Sequence, residues 1–148
     1  MAKLNGCDLP EDLYYLIEKH VWAKPMDDGT VRVGMTAVAG NLAGGNLAGV
    51  TVKRKSMGKE IPQGKSMATI ESSKFVGPVP APVTGVLLRG NDKLSSDPNL
   101  AVSDPYGEGW IAELQPADWD GEKDSLATGL DGLAAYQTKL DADGVSCN

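Results

Sequence analysis

Lys74 is the residue of this chain whose type and setting first suggest chemistry. It stands in "ATIESSKFVGPVPAPVTG", residues 68–85, with Glu71 three positions before it and Gly85 eleven positions after it. Two strand-like segments meet at "ESSKF", so we expect a β-hairpin with Lys74 at or beside its tip. A lysine there holds its amine in solvent on a flexible stem, open to covalent modification. On the residues alone, an ordinary solvated lysine is the favoured interpretation and modification is the alternative.

The other side chains with reactive potential are few. His20 is the one histidine, and the two cysteines, Cys7 and Cys147, stand near opposite ends of the chain. Such a set cannot build a zinc site of the usual kind, and the sequence has no phosphate-binding glycine motif. A lone histidine beside an aromatic residue, as in "KHVW", is usually a packing or surface residue. We therefore expect no catalytic residue and no metal site.

The two cysteines allow more than one interpretation. Chain termini often lie close together, so a disulfide between Cys7 and Cys147 is geometrically possible. Disulfides are rare in cytoplasmic proteins, and the favoured prediction is therefore two reduced, unrelated thiols in mobile ends. A dithiol oxidoreductase that uses the pair is the enzyme alternative.

Composition limits the class of protein. Hydrophobic residues make up 41% of the 148 residues, and the 18 glycines and nine prolines favour short strands joined by tight turns. The net charge of −6 argues against a nucleic-acid partner. No apolar stretch is long enough to span a membrane, and "MAKLNGCDLP" lacks the apolar core of a signal peptide. We expect a cytoplasmic protein with no membrane insertion.

The hydrophobic pattern predicts a mostly β domain with small helices early and at the end. Residues 8–12 could start a helical turn, and Thr36 is a suitable N-cap for a short helix in "AVAGNLAG". The stretch "LSSDPNLAVSDPYGEGW" predicts a turn-rich connector, because its Asp-Pro pairs oppose helix. Beyond Pro116, apolar residues at three- and four-residue steps predict an amphipathic helix that its glycines interrupt or weaken; they are Leu126, Leu130, Leu133, Tyr136 and Leu140.

The predicted strands are "YYLIEKHVWAKPM", "VRVGMT", "NLAGVTVKRK", "SMATIES", "TGVLLRGN" and "WIAELQP". Strict alternation in "VRVGMT" predicts that Val31, Val33 and Met35 share one face, and the prolines at 78, 80 and 82 suit an edge strand or a turn.

From about Tyr14 to Trp119 the sequence resembles the lipoyl carriers of the glycine-cleavage H-protein type. The blocks "EKHVW", "GTVRVGMT", "ESSKF", "APVTGVLL" and "DPYGEGWIAELQP" stand in the order that this family uses. The "DPYGEGW" block is the most specific, because general lipoyl domains and biotinyl domains lack it. The resemblance implies a flattened antiparallel β-barrel or β-sandwich, a lipoyl-domain-like barrel-sandwich hybrid, over residues 13–119. Residues 1–12 are then an N-terminal extension, and residues 120–148 a C-terminal helix and tail.

The resemblance also implies a cofactor and the residues that serve it. Lipoic acid is expected in amide linkage to Lys74, and Glu71 and Gly85 match the frame that positions the hairpin for lipoate-attaching enzymes. The cofactor would supply the chemistry, so the protein is expected to be a carrier passed between enzymes and not itself a catalyst.

Several residues depart from the family pattern. The family's usual "HEW" is "HVW" here, with Val21 in place of an acid, and both ends carry a cysteine. Basic residues stand where such carriers usually run acidic, and a change of sign there should change the partner that is attracted; they are Lys53, Arg54, Lys55, Lys59 and Lys65. A solvated charged edge is the equally weighted alternative.

With these departures the sequence is most similar to the lipoate-binding proteins of bacterial sulfur oxidation. That similarity implies a sulfur cargo on the arm, and as partners a heterodisulfide-reductase-like complex and a dihydrolipoamide dehydrogenase-like oxidoreductase. The main alternative is the aminomethyl carrier of glycine cleavage, which shares every lipoylation feature. A further alternative is an unlipoylated interaction scaffold.

Overall fold

Two antiparallel sheets and a terminal hairpin form the framework of the computed structural model, which describes residues 1–74 and 76–147. The strands are β1 (Ala2–Leu4), β2 (Cys7–Leu9), β3 (Tyr14–Leu16), β4 (Val21–Pro25), β5 (Val31–Met35), β6 (Gly49–Val52), β7 (Glu60–Ile61), β8 (Ser66–Glu71), β9 (Val76–Pro80), β10 (Gly85–Gly90), β11 (Ala112–Pro116) and β12 (Ala127–Thr128). The helices are α1 (Ala37–Leu42), α2 (Lys93–Ser96), α3 (Leu100–Ser103), α4 (Trp119–Glu122) and α5 (Gly129–Asp143). The predicted fold class, a mainly β sandwich with short helices, is confirmed, although the sheets of the described residues do not close into one barrel.

The larger sheet has seven strands in the order β12-β3-β4-β5-β11-β10-β7. Its strand β5 shows the predicted alternation, because Val31, Val33 and Met35 are buried while Arg32 between them is half-buried. Val33 pairs with Ala23 of β4 on one side and Ala112 of β11 on the other. This sheet therefore supplies one continuous wall of the core.

The smaller sheet has three strands in the order β6-β8-β9 and faces the larger sheet across the core. Met67 and Ala68 of β8 and Val79 of β9 lie in the same buried cluster as Leu87 and Leu114 of the larger sheet. These side chains exclude water between the two layers and fix the position of the β8–β9 hairpin.

Near the N-terminus the structure differs from two predictions. Residues 8–12 do not start a helix: Asp8 lies in β2 and pairs with Lys3, because Asn5 and Gly6 adopt positive φ angles of 51° and 84° and form a hairpin turn. The segment "YYLIEKHVWAKPM" is two strands, β3 and β4, and not one. The chain reverses between them, and His20 has a φ of 57° at this turn.

The sequence predicts a turn-rich connector after β10 in which Asp-Pro pairs oppose helix, and the structure differs in part. The connector forms two helical turns, α2 and α3, each of four residues. Leu94 of α2 and Ala101 of α3 are buried in the core, so tertiary packing stabilises turns that the Asp-Pro pairs keep short.

The C-terminal helix α5 is an uninterrupted helix of 15 residues, whereas the sequence predicts a broken or marginal one. Leu133, Tyr136 and Leu140 are buried as predicted, but Leu130 is exposed and Leu126 precedes the helix. The shift arises because residues 127–128 pair with β3 as a strand, so the helix begins later than the periodicity indicates. None of the described helices is both long and apolar enough to cross a membrane.

The tail that follows α5 is held against the N-terminal hairpin, so the prediction of two unrelated thiols in mobile ends is wrong. Cys7 and Cys147 form a disulfide with their Cα atoms 5.0 Å apart. The Cys147 amide donates to the carbonyl of Asn5 at 2.9 Å. The amide side chain of Asn41 in α1 donates to the carbonyl of Ser146 at 2.8 Å. The two ends of the chain and helix α1 therefore form one unit.

The division of the chain into residues 1–12, 13–119 and 120–148 stays a prediction.

Candidate functional site

Lys74 lies in the turn of the β8–β9 hairpin, as the sequence predicts. The last pair of the ladder joins Glu71 to Val76, and Ser73 and Lys74 in the turn between them are exposed. The Lys74 amide donates to Oγ of Ser72 at 3.2 Å, which shapes the turn on the side of β8. Phe75 is outside the described residues. The hairpin thus presents a lysine at its solvent-facing end.

The base of this hairpin is firmly held. Strand β8 is the central strand of its sheet, and Glu71 pairs with Gly49 of β6 as well as with Val76 of β9. The Ala48 amide also donates to the Glu71 carbonyl at 2.7 Å. Strand β9 lies at the edge of the sheet, where Pro78 needs no amide partner, as predicted. The backbone below Lys74 is therefore fixed while its side chain is exposed.

The aliphatic stem of Lys74 passes over Gly44, two residues beyond the end of α1. A Cβ added at Gly44 would lie 3.0 Å from Cδ and 3.5 Å from Cγ of Lys74, and Gly44 has a φ of +92°. A residue with a side chain would be strained there and would also crowd the stem. The sequence does not identify Gly44, because the glycines of "AVAGNLAG" indicate only that the helix is short, and not that Lys74 packs over one of them. The available signal in the sequence was the pair of consecutive glycines, Gly44 and Gly45, because such pairs often mark positive φ angles, which both residues adopt here.

The structure places the two other predicted frame residues very differently. Glu71 is exposed and closes the ladder next to the turn that holds Lys74. Gly85 is buried at the start of β10 on the larger sheet, beyond the end of the hairpin opposite the turn. A Cβ at Gly85 would lie 2.7 Å from the carbonyl oxygen of Gln115. Close packing against the neighbouring strand therefore explains why this residue is a glycine. The fold does not bring Gly85 next to Lys74.

His20 takes part in a buried polar cluster away from the hairpin. Its Nδ1 lies 2.7 Å from Oη of Tyr136, and the two rings are stacked. Oη of Tyr136 also lies 2.9 Å from Oγ1 of Thr36. Burial, reinforced by the nearby Lys139 ammonium, lowers the pKa of His20, and burial raises the pKa of Tyr136. These contacts support a packing role for His20.

Val21, which replaces an acid of the family pattern, is buried at 2% exposure and pairs with Met35 in the larger sheet. An aliphatic side chain suits this position, and a carboxylate there would need a partner. Across residues 1–74 and 76–147, no three potential metal-ligating side chains form a group that could hold an ion.

The surroundings of Lys74 fit a covalently attached arm. Its side chain is exposed, and its Nζ makes no hydrogen bond or ion pair with a described residue. The neighbouring Gly44 has no side chain that would obstruct the stem. The amine can therefore be reached by a modifying enzyme, and a group added to it can extend into solvent.

Two facing sheets with an exposed lysine at a hairpin turn define this protein as a β domain that presents a lysine to solvent. The family model described as "Glycine cleavage H-protein" matches residues 13–139. The chain belongs to the glycine cleavage H-protein family. Members of this family carry lipoate covalently on a lysine and act as carrier proteins rather than enzymes.

Individual relatives agree with this assignment. "Glycine cleavage system H protein 2" of Aquifex aeolicus is 41% identical over 147 residues, which cover 99% of this chain and 89% of the relative. "Glycine cleavage system H protein" of Mycolicibacterium vanbaalenii is 39% identical over 137 residues, which cover 93% of each chain. The crystal structure of a glycine cleavage system H protein from Mycobacterium marinum aligns with a TM-score of 0.73 at 30% identity. It covers 93% of this chain and 100% of that one.

Proposed function

We propose that this protein is a swinging-arm carrier with lipoate attached to Lys74. The observation that carries the proposal is the exposed Lys74 in the turn of a hairpin whose first strand, β8, is hydrogen-bonded to a strand on each side. Family membership supplies the cofactor, and Lys74 supplies a position from which an arm can reach partner enzymes. A cytoplasmic location, as the sequence predicts, belongs to the same proposal.

The residues around Lys74 would perform the mechanical part of this function. Acylation of the Lys74 amine removes its positive charge and lengthens the side chain. The β6–β8 ladder, which ends at the Gly49–Glu71 pair, keeps the anchor point still, and Gly44 leaves the stem unobstructed on one side. When bound, a lipoyl group supplies a disulfide that opens to two thiols able to take up and release a small group. Glu71, exposed beside the turn, is suited to contact the lipoate-attaching enzyme, whereas Gly85 would act through strand packing.

Attachment at Lys74 can be tested with the lipoate-attaching enzyme of the host. The wild type and Lys65→Arg, a change at another exposed lysine, should both gain the lipoyl mass increment. Lys74→Arg keeps the charge but should gain nothing, since the guanidinium is not an acyl acceptor under these conditions. Equal labelling of Lys74→Arg would refute the attachment site. An unlipoylated scaffold predicts no increment even in wild type.

For the cargo, we propose first the aminomethyl group of glycine cleavage. The support comes from the relatives, which are named as H proteins of that system and align over nearly the whole chain. The partners are then glycine decarboxylase and the aminomethyltransferase, together with the lipoate-attaching enzymes. Exchange of the glycine carboxyl group with bicarbonate should depend on the lipoylated protein in a reconstituted system.

A second candidate cargo is sulfur, and three features of this chain favour it. Val21 is buried where the family pattern has an acid, and the chain carries a disulfide between Cys7 and Cys147. Four cations without an ion-pair partner among the described residues also lie on one surface, which the next subsection describes. The partners would be a heterodisulfide-reductase-like complex and a dihydrolipoamide dehydrogenase-like oxidoreductase. Failure of glycine exchange by a fully lipoylated protein would favour this candidate, and efficient exchange would count decisively against it.

A further inference from the structure

Four cations form a patch, here called the basic surface, on a protein whose net charge is −6. They are Lys53, Arg54, Lys55 and Lys59, all exposed, and none makes an ion pair with a residue that the structure describes. Six of the ten other cations pair with an acid among the described residues: Lys3 with Asp8, Arg32 and Arg89 with Glu113, Lys93 with Glu108, Lys123 with Asp120, and Lys139 with Asp143.

Strand β6 links the basic surface to the hairpin of Lys74. The strand starts at Gly49, opposite Glu71 beside the turn, and ends at Val52, opposite Ala68. The cations follow directly, on a short 3-10 turn at Arg54–Ser56 and the loop after it. At about 3.3 Å per residue, the basic surface begins roughly 13 Å along the sheet from the hairpin turn. A protein bound there would lie beside the arm.

A cleft of about 470 Å³ adjoins the basic surface. Strand β6 and helix α2 form its walls, and Val52, Met57 and Leu94 provide apolar lining. Arg54 also lines the cleft, and so do polar residues such as Ser95. Mixed apolar and polar surface of this kind is usual at protein–protein interfaces.

The acids close to the basic surface do not neutralise it. Glu60 follows Lys59 in the chain and is exposed, and Asp92 lines the cleft. The four cations of the basic surface outnumber these two acids. The resulting positive field lies on one side of a chain that is negative overall, so it can orient a partner that approaches.

We propose that the basic surface docks a partner enzyme whose acidic face surrounds the opening that admits the arm. The proposal rests on the proposed function, since it needs an arm at Lys74. Charge complementarity within arm's reach of Lys74 selects a protein with an acidic rim. A nucleic acid fits less well, because its backbone would be repelled by the remaining surface of a chain with net charge −6.

Dihydrolipoamide dehydrogenase from the host is the probe of choice, because it oxidises a reduced lipoyl arm whatever the cargo. The dithiol of the reduced, lipoylated protein closes to a disulfide and gives up two electrons and two protons. NAD⁺ takes both electrons and one proton to become NADH, and the second proton is released to solvent. The formation of NADH is followed by its absorbance. The test variant is Lys53→Glu/Lys55→Glu. The matched control is Lys19→Glu/Lys24→Glu, two exposed cations on the larger-sheet side that pair with no described acid. Each reversal changes the charge by two, so both double variants go from −6 to −10.

The proposal predicts that Lys53→Glu/Lys55→Glu raises KM about tenfold or more with kcat unchanged, while the control shifts KM by less than about twofold. Added salt should raise the wild-type KM and have little effect on that of the test variant. Equal effects of the two variants, or no effect of either, would overturn the proposal. So would a lipoylated wild type that the enzyme does not oxidise, or a wild-type dimer that the test variant dissociates. Absence of lipoate at Lys74 would instead refute the proposed function.

Discussion

Gly44 lies directly under the side chain of Lys74, where an added Cβ would come within 3.0 Å of Cδ. The contact joins the turn after α1 to the hairpin turn, two loops that are 30 residues apart in the sequence. It identifies Gly44 as the residue that keeps the stem of the proposed arm clear. It also links the arm to α1, which the C-terminal tail holds through Asn41.

Gly44→Ala should slow lipoylation of Lys74 as well as destabilise the fold. Gly45→Ala is the matched control, because Gly45 has a φ of +84° but nothing within 4 Å of an added Cβ. Both variants should lose about 1–2 kcal/mol of unfolding free energy from the left-handed backbone. Only Gly44→Ala should also lower the initial rate of lipoyl transfer, followed by intact mass. Equal rates for the two variants would show that the Gly44 contact does not matter for the arm.

Removal of the disulfide should destabilise the protein substantially. Cys7 and Cys147 close a loop with a sequence separation of 140 residues, so their cross-link restricts the unfolded chain over almost its whole length. We expect Cys7→Ser/Cys147→Ser to lose about 3–5 kcal/mol of unfolding free energy in urea titrations. Reductant should have the same effect on wild type and none on the double variant. A wild type that is equally stable with and without reductant would contradict the disulfide, as would alkylation of both cysteines without reductant.

The stability of the protein should fall in mildly acidic solution because of His20. Its pKa is lowered from the usual 6.5, first by burial and then by Lys139, so the folded state disfavours the protonated ring. The unfolded state then binds more protons, and the stabilisation present above pH 6.5 is lost as the pH falls toward the lower folded pKa. His20→Asn keeps a residue that tolerates the φ of 57° but removes the titrating ring.

Urea titrations across this pH range test the role of His20. Between about pH 7.5 and pH 5.5 the unfolding free energy of wild type should decline more steeply than that of His20→Asn. Parallel declines would show that His20 does not titrate differently in the folded protein, and would contradict its burial against Tyr136.

The hairpin of Lys74 could be predicted because its signals are local. Strand-forming residues lie on both sides of "ESSKF", and the prolines of the descending strand indicate an edge. The alternation of "VRVGMT" likewise placed Val31, Val33 and Met35 on one buried face. In each case short-range periodicity and tertiary packing favour the same structure.

The missed features depend on contacts between distant segments. Nothing near Cys7 indicates that the chain 140 positions later pairs with it. Residues 127–128 look like the first turn of a helix, but their pairing with β3 delays the start of α5 and exposes Leu130. The contact of Gly44 could not be predicted for the same reason, because its neighbour Lys74 lies in a hairpin turn 30 residues further along the chain. Periodicity reports which face of a segment is buried, and not which segment covers it.

The central claim is that Lys74 carries the lipoyl arm, and a peptide map of protein purified from its native host tests it most directly. The account predicts that the peptide containing Lys74 bears the lipoyl mass increment, with the fragment ions placing it on that side chain. Peptides containing Lys53, Lys55 or Lys65 should be unmodified. A chain that is unmodified at Lys74, or that carries lipoate on a different lysine, would contradict the account.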